Sequence, residues 1–152
     1  MTFRFAILHH TLPEKTSRSS HWDLLLEPPS CLSNQLDFEP GLLTFEVPIP
    51  PSRWGARLMV RRLQNHRPIY LDYEGAISKD RGEVIRILYG TIRWQVAEAG
   101  LLIVRLEPDR SADLDLCGVI KIRALTDPPN RDSWEMEFVR YGLQSPDSCG
   151  TL

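Results

Sequence analysis

Twelve prolines cut this chain into short pieces, and no other feature limits its fold so strongly. Proline has no amide donor and a fixed φ, so each one disfavours a helix interior or a central strand where it sits. The segments between "EPPS", "VPIPPSRW" and "DPPN" are short and rich in strand-favouring residues: "RFAILHH", "HWDLLLE", "LLTFEVP", "ARLMVRRLQ", "IYLDYEGAI", "EVIRILYGTIRW", "GLLIVRLEP", "GVIKIRAL" and "SWEMEFVRY". Apolar and polar residues alternate in runs such as Val119 to Arg123. Eight or nine such strands suggest a closed or nearly closed antiparallel barrel, or else a sandwich. The expectation adopted is a mainly β, single-domain antiparallel β-barrel of about eight strands with one or two short helices. Helical periodicity is weak throughout, and "PSRWGARLMVRRLQ" is the best helix candidate.

At 152 residues the chain has room for one core, because two would each be marginal. The reading is a barrel domain over residues 1–141, followed by "GLQSPDSCGTL", residues 142–152, as a loose tail that is small, polar and broken by Pro146. A hydrophobic fraction of 42% and a charged fraction of 25% are those of an ordinary globular protein. No apolar stretch approaches the roughly 20 residues of a bilayer crossing, so no membrane partner is expected. The start "MTFRFAILHH" lacks a small-residue cleavage site, which points to a cytoplasmic protein. Cys31, Cys117 and Cys149 are odd in number and far apart, and read as reduced, incidental thiols. A net charge of -2 gives no global basic signature, so any nucleic-acid contact has to come from a local patch.

All four histidines, His9, His10, His21 and His66, lie in the first 66 residues. In "HWDLLLE" the strand period of two puts His21, Asp23, Leu25 and Glu27 on one face and Trp22, Leu24 and Leu26 on the other. A single histidine on a strand is more often a surface or satisfied core residue than a ligand. His10, Asp23 and His66 together are a different matter, since two imidazoles and one carboxylate suit a divalent ion and leave positions open on it. His21, beside Asp23, could then touch a phosphate or act as an acid. His9 should point away from the site, because adjacent strand residues face opposite sides.

Five pieces, "FAILHH", "HWDLLLE", "LLTFEVP", "HRPIYLDYEG" and "RGEV…YGTIRW", occur in an order and at a spacing that resemble the 3'-phosphoesterase domain of bacterial DNA ligase D and its stand-alone relatives. The resemblance covers roughly residues 3 to 95. It implies that His10, Asp23 and His66 bind a divalent metal, typically manganese, with zinc or another divalent ion as substitutes. It also implies that His21 contacts the scissile phosphate and that Tyr70 supports catalysis through its hydroxyl. The function implied is removal of a 3'-phosphate or 3'-ribonucleotide from nucleic-acid ends, a hydrolase of DNA repair that partners DNA or RNA/DNA 3' ends and repair ligase machinery.

The chain departs from the family at three places. Leu25 stands where the family has a phosphate-gripping arginine, and Ile49 stands where it has a lysine. The loop before "HWD" is longer and carries Lys15 and Arg18. Phosphate recognition would then need other cations. Arg57, Arg61 and Arg62 are the phosphate-binding candidates, with Arg67 near them; the plain reading of "RLMVRRLQNHR" is a solvated basic face. Asp72, Glu74 and Gly75 read as a strand end and turn, with the carboxylates solvated or bonded to backbone amides.

Two other readings stay open. A catalytically weakened barrel could keep the metal and bind nucleic-acid ends or a repair partner. A non-haem iron(II) oxygenase would use His21, Asp23 and His66, with His21 in place of His10 on the metal.

Overall fold

Four antiparallel strands follow one another at the start of the chain: β1 (Phe3–Thr11), β2 (His21–Leu26), β3 (Leu42–Val47) and β4 (Leu58–His66). A second antiparallel run closes the other half: β6 (Glu83–Glu98), β7 (Leu101–Pro108), β8 (Gly118–Ala124) and β9 (Trp134–Arg140). Pairing of β4 with β9 and of β1 with β6 joins the two runs into a closed eight-stranded barrel. The two-residue β5 (Gly75–Ala76) pairs with β6 as an extra strand. Closure leaves the barrel strands no free edge to aggregate through. This computed structural model describes residues 2–13, 19–79, 81–109 and 116–141.

Every barrel strand sends alternate side chains into one interior cluster. Phe5 and Ile7 come from β1, Leu24 and Leu26 from β2, Phe45 from β3, Val60 from β4, and Trp134 and Phe138 from β9. The Phe45 and Trp134 rings meet edge to face with centroids 5.4 Å apart, a favoured aromatic geometry. Each such side chain removed from water contributes roughly 1.5–3 kcal/mol before entropy is counted. The interior is therefore filled.

The link between the two halves decides where a site can form. β4 lies at one edge of the first four strands, whereas β6 pairs beyond β1 at the other edge. Residues 67–82 must cross between them, and with the interior full they pass over the outside of β3, β2 and β1. There Leu71 packs with Ala6, Leu8, Leu25, Leu42 and Val84 in a second, smaller apolar cluster. Strands β1 to β3 are thus covered on both faces, which explains their nearly continuous apolar runs.

Several sequence expectations change. The helix expected in "PSRWGARLMVRRLQ" is only a 3-10 turn, Pro51–Arg53, followed by strand β4. Ladder bonds to β3 and β9 outweigh its weak helical pattern. Among the described residues the one α-helix is the short α1, Ser30–Ser33. "IYLDYEGAI" is not one strand but a 3-10 turn, Pro68–Leu71, then β5, since Pro68 starts a turn and Gly75 takes a φ of +131°. Cys117 is disulfide-bonded, which corrects the expectation of a reduced thiol at that position. Cys31 is free and exposed. The tail at 142–152, with Cys149, and the loop cations Lys15 and Arg18 lie outside the described residues. Among the described residues no helix is long and apolar enough to cross a membrane.

Candidate functional site

The register of β1 on β2 places His10 opposite His21 and Leu8 opposite Asp23. Side chains two apart share a face, so His10, His21 and Asp23 all project outward, beneath the crossing segment. β3 then sets Glu46 opposite Asp23, and a register irregularity between Leu42 and Thr44 lets β4 end with His66 opposite Leu42. The His66 amide donates to Thr44 Oγ1 at 3.3 Å. Gly41 makes this approach possible: its φ is +118°, and a Cβ there would lie 2.6 Å from the His66 carbonyl oxygen.

Three imidazoles surround one buried carboxylate. His10 Nδ1 lies 3.6 Å and His66 Nε2 4.0 Å from the same oxygen, Asp23 Oδ2, while His21 Nε2 lies 3.0 Å from Oδ1. The far nitrogens fix the tautomers. His10 Nε2 donates to the Arg81 carbonyl at 2.7 Å, and His66 Nδ1 donates to the Gln64 carbonyl at 2.9 Å. A carbonyl can only accept, so in the neutral rings both nitrogens facing Asp23 Oδ2 carry lone pairs. Backbone carbonyls orient metal-binding histidines in this way. His21 follows the same pattern: its Nδ1 donates to the Ser19 carbonyl at 3.2 Å, with Glu46 Oε1 3.3 Å away, so in the neutral ring its Nε2, facing Asp23 Oδ1, is bare as well.

The donor set fits a divalent cation. His21 Nε2 and Asp23 Oδ1 are buried without a hydrogen-bond partner, their 3.0 Å approach being out of line for one. Ligand atoms of His10, His21 and Asp23 also lie within 4.8 Å of one another. His10 and Asp23 are common to this group and to the expected His10, Asp23 and His66 set; His21 stands in it where the expectation had His66.

Burial alone would push the Asp23 carboxyl up. The flanking imidazoles of His10, His21 and His66 outweigh it and hold the group down at about 2. Burial would likewise push His21 down, but the adjoining Asp23 carboxylate, the Ser19 carbonyl and Glu46 together raise it. A carboxylate kept ionised among imidazoles is what a cation-binding centre requires.

These groups floor a cleft of about 700 Å³. Tyr70 overhangs it, its ring edge to face with His66 at 5.6 Å. Arg67, Lys79 and Arg81 line it, and Asp23 is its one acidic residue among those described. The sequence-stated phosphate candidates sit elsewhere. Arg57 lines a shallow depression with Lys121 and Arg123, and Arg62 turns inward, 6.0 Å from the Trp134 ring. Arg61 stays on the outer face but pairs with Glu46 at 3.5 Å and Asp132 at 3.0 Å. Lys79 and Arg81 were missed by sequence reasoning; their signal is the charged turn "SKDRGE" that the crossing segment carries to β6.

The remaining residues place as follows. His9 lies on the opposite face, stacked on Trp22 at 4.6 Å. Leu25 is fully buried in the smaller apolar cluster, and Ile49 packs against the interior one. Asp72 forms a two-pronged bond to Arg4, 2.6 and 3.2 Å, with Arg86 at 3.4 Å, and Glu74 accepts the Arg86 amide at 3.2 Å. No protein-family model and no curated protein matches the chain, so the ligase D resemblance rests on its motifs alone.

Proposed function

We propose that this protein is a divalent-metal-dependent phosphoesterase acting on the 3' ends of nucleic acid, removing a 3'-phosphate or 3'-ribonucleotide before a repair ligase joins the end. The observation that carries the reading is the pair of lone-pair nitrogens, on His10 and His66, aimed at one oxygen of buried Asp23 inside a cleft lined by cations. His10, Asp23 and His66 would hold the ion, with manganese as the first candidate. When bound, such an ion neutralises phosphoryl charge and lowers the pKa of a coordinated water.

The chain's own groups do the rest. Arg67, Lys79 and Arg81 attract the nucleic-acid backbone and position its terminus. His21, where its raised pKa keeps the ring charged, gives the phosphoryl or leaving oxygen a hydrogen bond or a proton from Nε2. The Tyr70 hydroxyl supplies a further donor from the roof. A cytoplasmic setting belongs to this reading, and the Cys117 disulfide is the one feature that argues against it.

The test is release of inorganic phosphate from a 3'-phosphorylated oligonucleotide with Mn²⁺. Wild type should turn over, and His21→Ala should lose about 100- to 10,000-fold in kcat with the metal still bound. Binding of 3'-phosphate ends without any release would instead support the weakened-barrel reading, which Leu25 favours by leaving β2 without a phosphate donor. The oxygenase reading requires His21 rather than His10 on the metal, and comparing the Mn²⁺ affinity of His10→Ala with that of His21→Ala decides between the two.

A further inference from the structure

Asp23 and Glu46 face each other across β2 and β3. Like charges directly opposite on a sheet are destabilising, and here both side chains are largely covered, Asp23 at 2% and Glu46 at 16% exposure. The His21 ring fills the gap, with Nε2 toward Asp23 and Nδ1 toward Glu46 and the Ser19 carbonyl. Glu46 is itself held: Arg61 lies opposite it on β4, 3.5 Å away, and is braced by Asp132.

We propose that Glu46 is a positioning residue for His21, fixing the ring so that the Nδ1–H points along the sheet and Nε2 faces Asp23 at the floor of the cleft. An imidazole can turn over about its χ2 bond, and a single carbonyl at Ser19 resists that less than a carbonyl and a carboxylate together. Arg61 then serves the site by aiming Glu46 and not by touching phosphate. The segment "TFEV" gives no hint of this, because Glu46 gains its meaning only from its cross-strand neighbour.

The test uses the full chain. Long-range ¹H–¹⁵N correlation of the His21 ring at fixed pH should show Nδ1 protonated in wild type. Glu46→Ala, and Glu46→Leu, which keeps the volume should alanine loosen the fold, should show a mixture of ring states. Glu46→Gln retains an acceptor and should restore the wild-type pattern. The kinetic arm rests on the phosphoesterase reading: alanine and leucine should lower kcat by about 10- to 100-fold with KM within about twofold, and glutamine should recover to within about threefold. Mn²⁺ affinity should not change. Retention of the native ring state and kcat in both Glu46→Ala and Glu46→Leu overturns the proposal, as does a parallel loss of metal affinity or a glutamine variant no better than alanine. If wild type releases no phosphate, the phosphoesterase reading falls, and the ring-state measurement still decides the role of Glu46.

Discussion

His66 Nε2 stands 4.0 Å from Asp23 Oδ2 with no proton of its own to share, because the ring's hydrogen is committed to the Gln64 carbonyl. Two ligands each about 2.0–2.2 Å from one ion lie roughly 3–4 Å apart, so the spacing is that of groups with a cation between them.

One divalent ion per chain should therefore bind. Asp23→Asn, His10→Ala and His66→Ala should each weaken Mn²⁺ binding by more than about 100-fold, beyond the 10- to 100-fold typical of losing a partner behind a ligand. His21→Ala should stay within about tenfold. Titration calorimetry decides this, and a His66→Ala variant with native affinity would count against the His10, Asp23 and His66 set.

Cations on the cleft should matter and those off it should not. Lys79→Ala and Arg67→Ala should each weaken binding of a 3'-phosphorylated oligonucleotide and lower the slope of log K against log salt by about 0.7–1. Arg57→Ala and Arg62→Ala should leave that slope unchanged. Fluorescence anisotropy across a salt series reads both, and equal effects from the two pairs would remove the cleft as the binding surface.

Leu25→Arg restores the family's residue in sequence but not in space. Leu25 is fully buried between Ala6, Leu8, Leu42 and Leu71, where an unpaired guanidinium costs several kcal/mol. The variant should lose about 5 °C or more in Tm and gain no activity. A folded, more active Leu25→Arg protein would mean that the crossing segment yields to let the arginine reach the cleft.

The hydrogen bond and charge of Arg4, aided by Arg86, hold the Asp72 carboxyl below the ordinary aspartate range. A depressed folded-state pKa gives stability that is present above the unfolded value and lost as pH falls through the folded one. Asp72→Asn should lower Tm by only about 1–3 °C at neutral pH, since the pair is exposed. That gap to wild type should close below about pH 4. Melting curves that stay parallel down to pH 2.5 would assign the effect to something other than the ion pair.

The barrel was legible because proline breaks and strand-forming segments are local signals. Its closure was legible only as a count of strands. The face shared by His21 and Asp23 followed from strand period alone. What could not be read was the path of residues 67–82 over the outside of β1 to β3. That path carries Lys79 and Arg81 into the cleft and buries Leu25. Arg62 misled for a related reason: next to Arg61 in sequence, it points to the other side of the barrel wall. Glu46 depends on neighbours far away in the chain, which no local pattern encodes.

The cleft's floor and roof have different standing in this architecture. The eight strands close through β1–β6 and β4–β9 without help from the crossing segment. Amides of β1 and β2 are locked in ladders on both sides. The roof amides of Tyr70 and Asp72 are instead bonded to the carbonyls of Arg67 and Ile69, three residues back in each case. Hydrogen exchange should therefore find the floor amides protected up to global unfolding and the roof amides exchanging through local opening. The placing of Asp23 and its imidazoles is thus kept by strand ladders that do not depend on the roof.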